Sequence, residues 1–450
     1  MINDDNAITS GVIWKQLLIF FFPILFGTFF QQLYNTADAI IVGQFLGKEA
    51  LAAVGGGTST IINLLVGFFT GIATGSTVII SQFFGARDME RTNKAIHTAI
   101  GIALAGGIII AGAGFFTTEY MLNLIGTPDD VMPLAEEYMK IFFLGSVFNT
   151  LYNMGSGVFR ALGDSKKPLY FLIVSCAVNI VLDILFVGPL KMGVAGAAWA
   201  TISSQMISAL LCLVYLRKEK EEIRYHITKT SLNPFMVKRT MQIGLPAGIQ
   251  SVLYTISNLI LQAHVNGFGT DTAAAWAAYG KIDSLFWLAI NAFGLAVTTF
   301  IGQNYGAGLY DRVRKGVRTS VLMASVLTIS LSILFMFFGR FFLMLFASDE
   351  QVLSIGMSIL ILLVPTWITY MPIEVFSGAM RGCGKTLIPT IITCVGICGF
   401  RIIWLEGATR ILNTIGTVMF CYPSSWLLAS VALIVYYKKG NILNDQNKRV

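Results

Sequence analysis

The sequence predicts an all-α integral membrane protein, with twelve transmembrane helices in two pseudo-symmetric six-helix bundles. Three observations carry that expectation. Apolar residues fill 55% of the 450 positions and charged residues only 12%, where soluble domains carry roughly a quarter charged. Apolar runs of about 20 residues, enough to cross a hydrocarbon core, recur along the chain with no long hydrophilic domain between them. The second half of the chain also repeats the first.

The runs lie at 15–46, 50–83, 95–117, 135–159, 168–187, 193–216, 240–266, 272–303, 315–339, 352–379, 387–405 and 413–437. A cleaved signal would need a basic start and a short apolar core. The opening MINDDNAITSG is acidic and the first run is far too long, so the first helix is expected to be retained. The repeat is direct: SQFFGARDMERTNKAIHTAI (81–100) resembles GQNYGAGLYDRVRKGVRTSV (302–321), and FRALGDSKKP (159–168) resembles MRGCGKTLIP (380–389). Gln82 and Gln303, Gly85 and Gly306, Arg160 and Arg381, and Pro168 and Pro389 all match at an offset of 221. The expected organisation is an N-terminal lobe over 1–216, a polar cytoplasmic linker over 217–239 and a C-terminal lobe over 240–450. Six helices per repeat is an even number, so both repeats enter from the same side and are related by an axis along the membrane normal.

The formal charge of +7 does not point to nucleic acid. Of 31 Lys and Arg, 24 fall at the termini or in the connections on one side of the membrane. Lys48, Lys140, Lys191, Arg340 and Arg410 lie on the other side, and Lys281 and Arg401 lie within spans. This bias is the positive-inside pattern, so both termini are expected in the cytoplasm of a multi-pass protein of the inner (plasma) membrane. Cys176, Cys212, Cys383, Cys394, Cys398 and Cys421 lie in or beside apolar runs, away from any His at ligand spacing, and read as small buried hydrophobes. AMRGCGKT (379–386) comes close to a phosphate-cradling loop, but it has Ala379 where that loop needs Gly and no strand precedes it. It reads as a turn between helices.

Ionisable groups within spans cost about 2.5–3.5 kcal/mol each on insertion scales. Asp38, Asp183, Lys281, Asp283, Glu374 and Arg401 are the candidates. In the second bundle Lys281 and Arg401 can offset Asp283 and Glu374, and depth along the helices makes Asp283 the better partner for Arg401. In the first bundle Asp38 and Asp183 have no basic residue at membrane depth. Asp38 lies about nine residues before the outer end of helix 1, Asp183 about five before that of helix 5, and Thr201 about eight below the outer surface on helix 6. Asn179 and Asp183 share a helix face at i and i+4, and Gln31, Asn35 and Asp38, with Tyr34 beside them, form a polar stripe on helix 1. These faces can converge on one pocket. Two carboxylates in a low-dielectric pocket do not comfortably both ionise, so the pair should hold a proton or a sodium ion. Pro23, about four turns before Asp38, removes a helix hydrogen bond and marks a kink that can reorient the stripe.

Seven stretches together resemble the multidrug and toxic compound extrusion (MATE) transporters, in particular their DinF-like prokaryotic branch. They are PILFGTFFQQLYNTADAIIVGQFLG (23–47), GSTVIISQFFGARD (75–88), GVFRALGDSKKP (157–168), NIVLDILF (179–186), GVAGAAWAT (193–201), LPAGIQSVLYTISN (245–258) and FIGQNYGA (300–307). The resemblance covers all twelve spans. It implies two six-helix lobes around a cavity and a secondary active transporter, not an enzyme, which exports amphipathic, often cationic, organic compounds or drugs by alternating access. Proton or sodium entry would drive export. It also implies a cation site at Asp38, Asn179, Asp183 and Thr201, with Na+ as the metal it can hold, and a helix-1 proline at Pro23. Relatives of the NorM type carry an acid in helix 7, where this chain has Asn258 and His264; a second-lobe sodium site is therefore not expected.

Gln31, Tyr34, Asn35, Asn258, Asp283, Glu374 and Arg401 are the substrate-cavity candidates. No cofactor is expected beyond the coupling H+ or Na+. The expected partners are small organic molecules and the lipid bilayer, with no nucleic acid, and the chain is expected to act as a monomer. One alternative is a flippase for lipid-linked oligosaccharides, but the cationic cavity that would hold a pyrophosphate has no counterpart in the acidic first bundle. A membrane enzyme is a poorer fit, since His97, His226 and His264 lie in separate segments.

Overall fold

The computed structural model describes residues 8–440. The acidic opening residues and the last ten, with Lys448 and Arg449, lie outside the described residues. The described chain is helical, with no strand among those residues. In chain order the first half holds α1 (Ile13–Leu46), α2 (Lys48–Gly55), α3 (Gly57–Gly85), α4 (Met89–Leu124), α5 (Met132–Leu144), α6 (Ser146–Ala161), α7 (Lys166–Val187) and α8 (Gly193–Arg217). The second half holds α9 (Pro234–Asn266), α10 (Thr270–Gly306), α11 (Tyr310–Met344), α12 (Glu350–Leu363), α13 (Trp367–Gly382), α14 (Leu387–Thr393), α15 (Phe400–Ile411), α16 (Ile415–Met419) and α17 (Cys421–Lys439).

Eleven segments of the described chain are long and apolar enough to cross a membrane. They account for every expected span except the fourth, 135–159. That span is the α5–α6 pair, which meets at Gly145 and carries Glu136, Glu137, Lys140, Asn149 and Asn153. Phe116 and Phe337 are 85% and 81% exposed, in company with Ile109, Ile403 and Ile411. Large apolar groups stand in the open like this where the solvent is hydrocarbon.

The internal repeat is written into the helix boundaries. α3 ends at Gly85 and α10 at Gly306; α4 begins at Met89 and α11 at Tyr310; α6 ends at Ala161 and α13 at Gly382; α7 begins at Lys166 and α14 at Leu387. Each pair is offset by 221. Packing repeats too, with α6 against α3 and α4 as α13 is against α10 and α11. Both copies of the fourth span are interrupted, at Gly145 in the first and at the 3-10 turn Val364–Thr366 in the second.

Two compact units emerge from the packing: Phe22–Gly248, and the chain up to Phe21 together with Ile249 onward. Each boundary falls inside a long helix, within two residues of Pro23 in α1 and of Pro246 in α9. Phe21 still packs edge-on against Phe293 of α10, with centroids 5.7 Å apart. In the Phe22–Gly248 unit, the start of α9 packs backbone to backbone on α3. A Cβ on Gly71 would sit 2.3 Å from the Gly248 nitrogen, and one on Gly75 would sit 2.4 Å from the Thr240 carbonyl oxygen. Small residues allow this approach, which is a common way for membrane helices to gain van der Waals contact.

The linker between α8 and α9 is docked on the beginning of α4. His97, 3% exposed, donates from Nδ1 to the Asn93 carbonyl (2.8 Å) and accepts the His226 backbone N–H at Nε2 (3.0 Å). Asn93 donates to the Arg224 carbonyl (3.2 Å), and Lys167 of α7 pairs with Glu219. Both ring nitrogens of His97 are thus committed, and the ring is neutral, with its proton on Nδ1. In the other unit Arg312 donates to the carbonyls of Gly11 (2.8 Å) and Ser10 (2.6 Å), clasping the segment before α1.

Replacing His97 with Ala deletes the acceptor that latches the linker. A lost buried hydrogen bond of about 1–1.5 kcal/mol raises the undocked fraction roughly tenfold. Trypsin should then cut after Arg224 or Lys229 about ten times faster, with helix content unchanged by circular dichroism; an unaltered rate would refute the latch. Gly71→Val should destabilise the purified protein by about 1–3 kcal/mol, as overpacking does, read as a lower thermal midpoint in detergent.

Candidate functional site

The buried face of α7 is made of Pro168, Phe171, Leu172, Ser175, Cys176, Asn179, Asp183 and Val187. This is a helical stripe, and Ser175, Asn179 and Asp183 sit in it at four-residue intervals, in register with apolar residues. α8 lies along it. Ser175 Oγ donates to the Ser204 carbonyl (2.9 Å), and Ser204 Oγ donates to the Thr201 carbonyl (2.8 Å). α1 contributes Tyr34, Asp38, Ile41 and Val42 to the same interior. Ile41, Val42, Val187, Val194, Ala197, Ala198 and Tyr138 close one side with a single apolar cluster.

Inside these walls Asn179 and Asp183 are fully buried, Thr201 is 5% exposed and Asp38 7%. The four residues predicted from the sequence thus come together on three helices, as the depth argument requires. Asp38 and Asp183 are close enough to feel each other's charge. Tyr138 of α5 stands within electrostatic reach of both carboxyls and of Tyr34. Tyr34 in turn lies beside Gln31 and Gln205.

Partners are what the cluster lacks. Asp38 Oδ1, both Asp183 oxygens, both polar atoms of the Asn179 amide and Thr201 Oγ1 are buried without a hydrogen-bond partner among the described residues. Asn179 lies one turn from Asp183, and Thr201 lies near Tyr138, but neither pair forms a hydrogen bond of acceptable geometry. Burying one such group unpaired costs about 1–3 kcal/mol, and more for a charged one. The set converges four hard oxygen-bearing side chains, the donor chemistry that suits a proton or a small hard cation.

The remaining candidates divide. Gln31 is half-buried and Asn35 is exposed; at 100° per residue Tyr34 lies about 40° and Asn35 about 60° from Asp38 around α1. Pro23 lies within α1, which runs unbroken through it.

In the second half the expected pairing of Arg401 with Asp283 does not form. Asp283 is instead held by donors, with Tyr279 Oη (3.1 Å) and Trp367 Nε1 (3.2 Å) on Oδ1 and Trp287 Nε1 (2.6 Å) on Oδ2. Arg401 donates to Asn258 Oδ1 (2.9 Å) and stacks on Tyr422 with its guanidinium carbon 4.2 Å from the ring centroid. Glu374 pairs with Arg381, seven residues along its own helix, at 2.8 Å. Gly294 makes room for it, since a Cβ there would meet Glu374 Oε1 at 2.0 Å. Lys281 is exposed and offsets neither acid. His264 bonds back to the Ile260 carbonyl (2.9 Å). All six cysteines are free and five are buried, as their apolar surroundings suggested.

Comparison with known proteins decides the family. The family model MatE matches residues 23–185 and again 246–404. The chain belongs to the MatE family. Both matched segments of this MatE chain begin at the prolines, Pro23 and Pro246, inside the long helices. Among similar proteins is the probable multidrug resistance protein YpnP of Bacillus subtilis (strain 168), 31% identical over 96% of both chains. Another is the probable multidrug resistance protein YoeA of the same organism, 29% identical over 95% of this chain and 94% of that one. A solved MOP superfamily transporter from Pyrococcus furiosus shares the fold, with a TM-score of 0.90 at 22% identity over 100% of both chains.

The sequence reading passed over Tyr138 and Gln205, and it singled out Pro23 without Pro246. The signal was the one used for Pro23, a proline inside a long apolar span, here 240–266.

Asp183→Asn removes one unpaired buried carboxylate. In sodium-free alkaline buffer this variant should be more stable than the parent by about 1–3 kcal/mol in thermal unfolding, and it should lose stabilisation by added Na+ or acid. A variant stabilised by those ions as strongly as the parent would contradict the site.

Proposed function

We propose that this chain is a cation-coupled antiporter of the inner (plasma) membrane that exports amphipathic organic compounds, often cationic, by alternating access. The observation that carries this reading is the group of six buried, unpartnered polar atoms on Asp38, Asn179, Asp183 and Thr201. A resident Lys or Arg would satisfy the oxygens among them permanently. Their open valence suits an ion that comes and goes, either H+ or Na+ entering with its gradient. Both termini face the cytoplasm, the chain works as a monomer, and no cofactor is needed beyond the coupling ion.

In this mechanism, cation binding at Asp38 and Asp183 neutralises the pocket and favours one conformation of the first lobe, while substrate binding in the cavity favours the other. A ligand shifts such an equilibrium only by its differential affinity for the two states. The charge state of two buried carboxylates supplies a large difference. Pro23 gives α1 a turn without its full hydrogen bonding, so the stripe bearing Tyr34 and Asp38 can move with occupancy. Half-buried Gln31 and exposed Asn35 and Asn258 are the residues assigned here to substrate contact. Asp283 and Glu374, whose oxygens are engaged by protein donors, shape the wall they stand in.

The energetics suffice. One charge moving down 100 mV supplies about 2.3 kcal/mol, and one pH unit adds about 1.4, enough together for a several-hundred-fold gradient. The relatives named as multidrug resistance proteins support the substrate class, and the acidic first half disfavours a carrier of pyrophosphate-linked sugars.

Proteoliposomes containing the full chain should move an organic cation such as ethidium against its gradient when a proton or sodium gradient is imposed. Asp38→Asn should reduce gradient-driven transport at least about 100-fold while leaving ethidium binding within a few-fold. Transport indifferent to both gradients would sink the proposal.

A further inference from the structure

Arg401 is the second residue of α15, which follows a π-helical turn, Cys394–Gly399, an irregularity that often marks a functional position in a helix. The residue is 4% exposed, and its Nε is buried without an acceptor among the described residues. Nη1 is committed to Asn258 and the guanidinium face to Tyr422. The Nε edge is therefore open, and that edge of the guanidinium fork matches a carboxylate with two parallel N–H bonds.

No acid among the described residues fills the role. Asp283 is within electrostatic range of Arg401, but three aromatic donors occupy its oxygens. Glu374 is taken by Arg381.

A second donor is stranded at the same place. Ser257 Oγ, on a side chain 1% exposed, has no acceptor of good geometry. It lies beside Cys398, one turn before Arg401. Its neighbour Asn258 is exposed, so the cluster reaches an accessible surface.

We propose that Arg401, Ser257 and Asn258 form a subsite for a carboxylate group on the transported molecule. Asp283 already balances the charge of Arg401, so an incoming carboxylate leaves a net negative charge that a cationic group on the same molecule offsets. The substrate class is thereby narrowed to amphipathic zwitterions with a carboxylate. This rests on the transporter reading above.

The test uses the purified full-length protein and two probes that differ in one group, a fluorescent xanthylium dye with a free ring carboxylate and the same dye as its methyl ester. Binding is followed by fluorescence polarisation. Arg401→Gln should weaken the acid about 10–100-fold, the range for a lost charge-assisted pair, and leave the ester within twofold. Arg401→Lys, which keeps the charge without the fork, should fall between. Ser257→Ala should weaken the acid alone by about threefold to tenfold, and it serves if the Arg401 variants do not fold. Equal loss of both dyes, or undiminished acid binding in Arg401→Gln or Ser257→Ala, overturns the subsite. Gradient-driven uptake of the ester, measured in parallel, reports on antiport independently.

Discussion

A carboxylate carried from water into a membrane interior has to be matched by donors, by a fixed counter-charge or by a mobile one. The two halves of this protein answer that demand differently. Asp283 sits among two tryptophans and a tyrosine that donate to it, and Glu374 is tied to an arginine on its own helix. Among the described residues Asp38 and Asp183 have neither remedy. The arrangement of the first half follows from keeping them so. Serine bonds lock α7 to α8, an apolar plug shuts one side, and glycine contacts fasten α9 to α3 behind the core that includes Ile72, Phe159 and Phe171. Such rigidity keeps unsatisfied atoms from collapsing onto one another, as a looser scaffold would allow.

Much of this was legible in the residues, and the reasons are local. Eleven of the expected spans follow from apolar length alone. The buried polar cluster follows from the 3.6-residue period combined with depth, since Asn179, Asp183, Asp38 and Thr201 had to lie at one level on inward faces. Depth did not fix partners. Arg401 and Asp283 share a level, but which way each side chain points around its helix depends on packing against Asn258, Tyr422 and the tryptophans, information that resides in the fold. Tyr138 escaped notice for the same reason, as its helix lies in the fourth span, whose polar composition and break at Gly145 blur the periodic signal. The docking of the linker through His97 and His226 joins residues 129 positions apart, which no local pattern reveals.

The repeat shows what duplication preserves. Helix ends, breaks and even an exposed phenylalanine recur at a spacing of 221, because they record backbone geometry and the thickness of the surroundings. Basic residues at the helix ends recur as well, among them Arg160 and Arg381, but the acids and the arginine at membrane depth do not. Where one copy leaves acids waiting, the other holds a guanidinium against an amide and a ring. One backbone plan thus supports two electrostatic characters, a division that a symmetric pair of sites would not give.

The unmatched acids also bear on how the chain is made. α7 must enter the bilayer with Asn179 and Asp183 before α8 exists to cover them, since membrane helices are inserted in order of synthesis. Its most apolar window nevertheless has a mean hydropathy of 2.4, a value none of the other ten segments exceeds. At about 0.3–0.6 kcal/mol per central apolar residue, the leucines, isoleucines, valines and phenylalanines around Asp183 offset the penalty of one acid. The apolar residues around Asp183 thus let a helix that will carry a buried, unpaired acid be accepted by the membrane as an ordinary one.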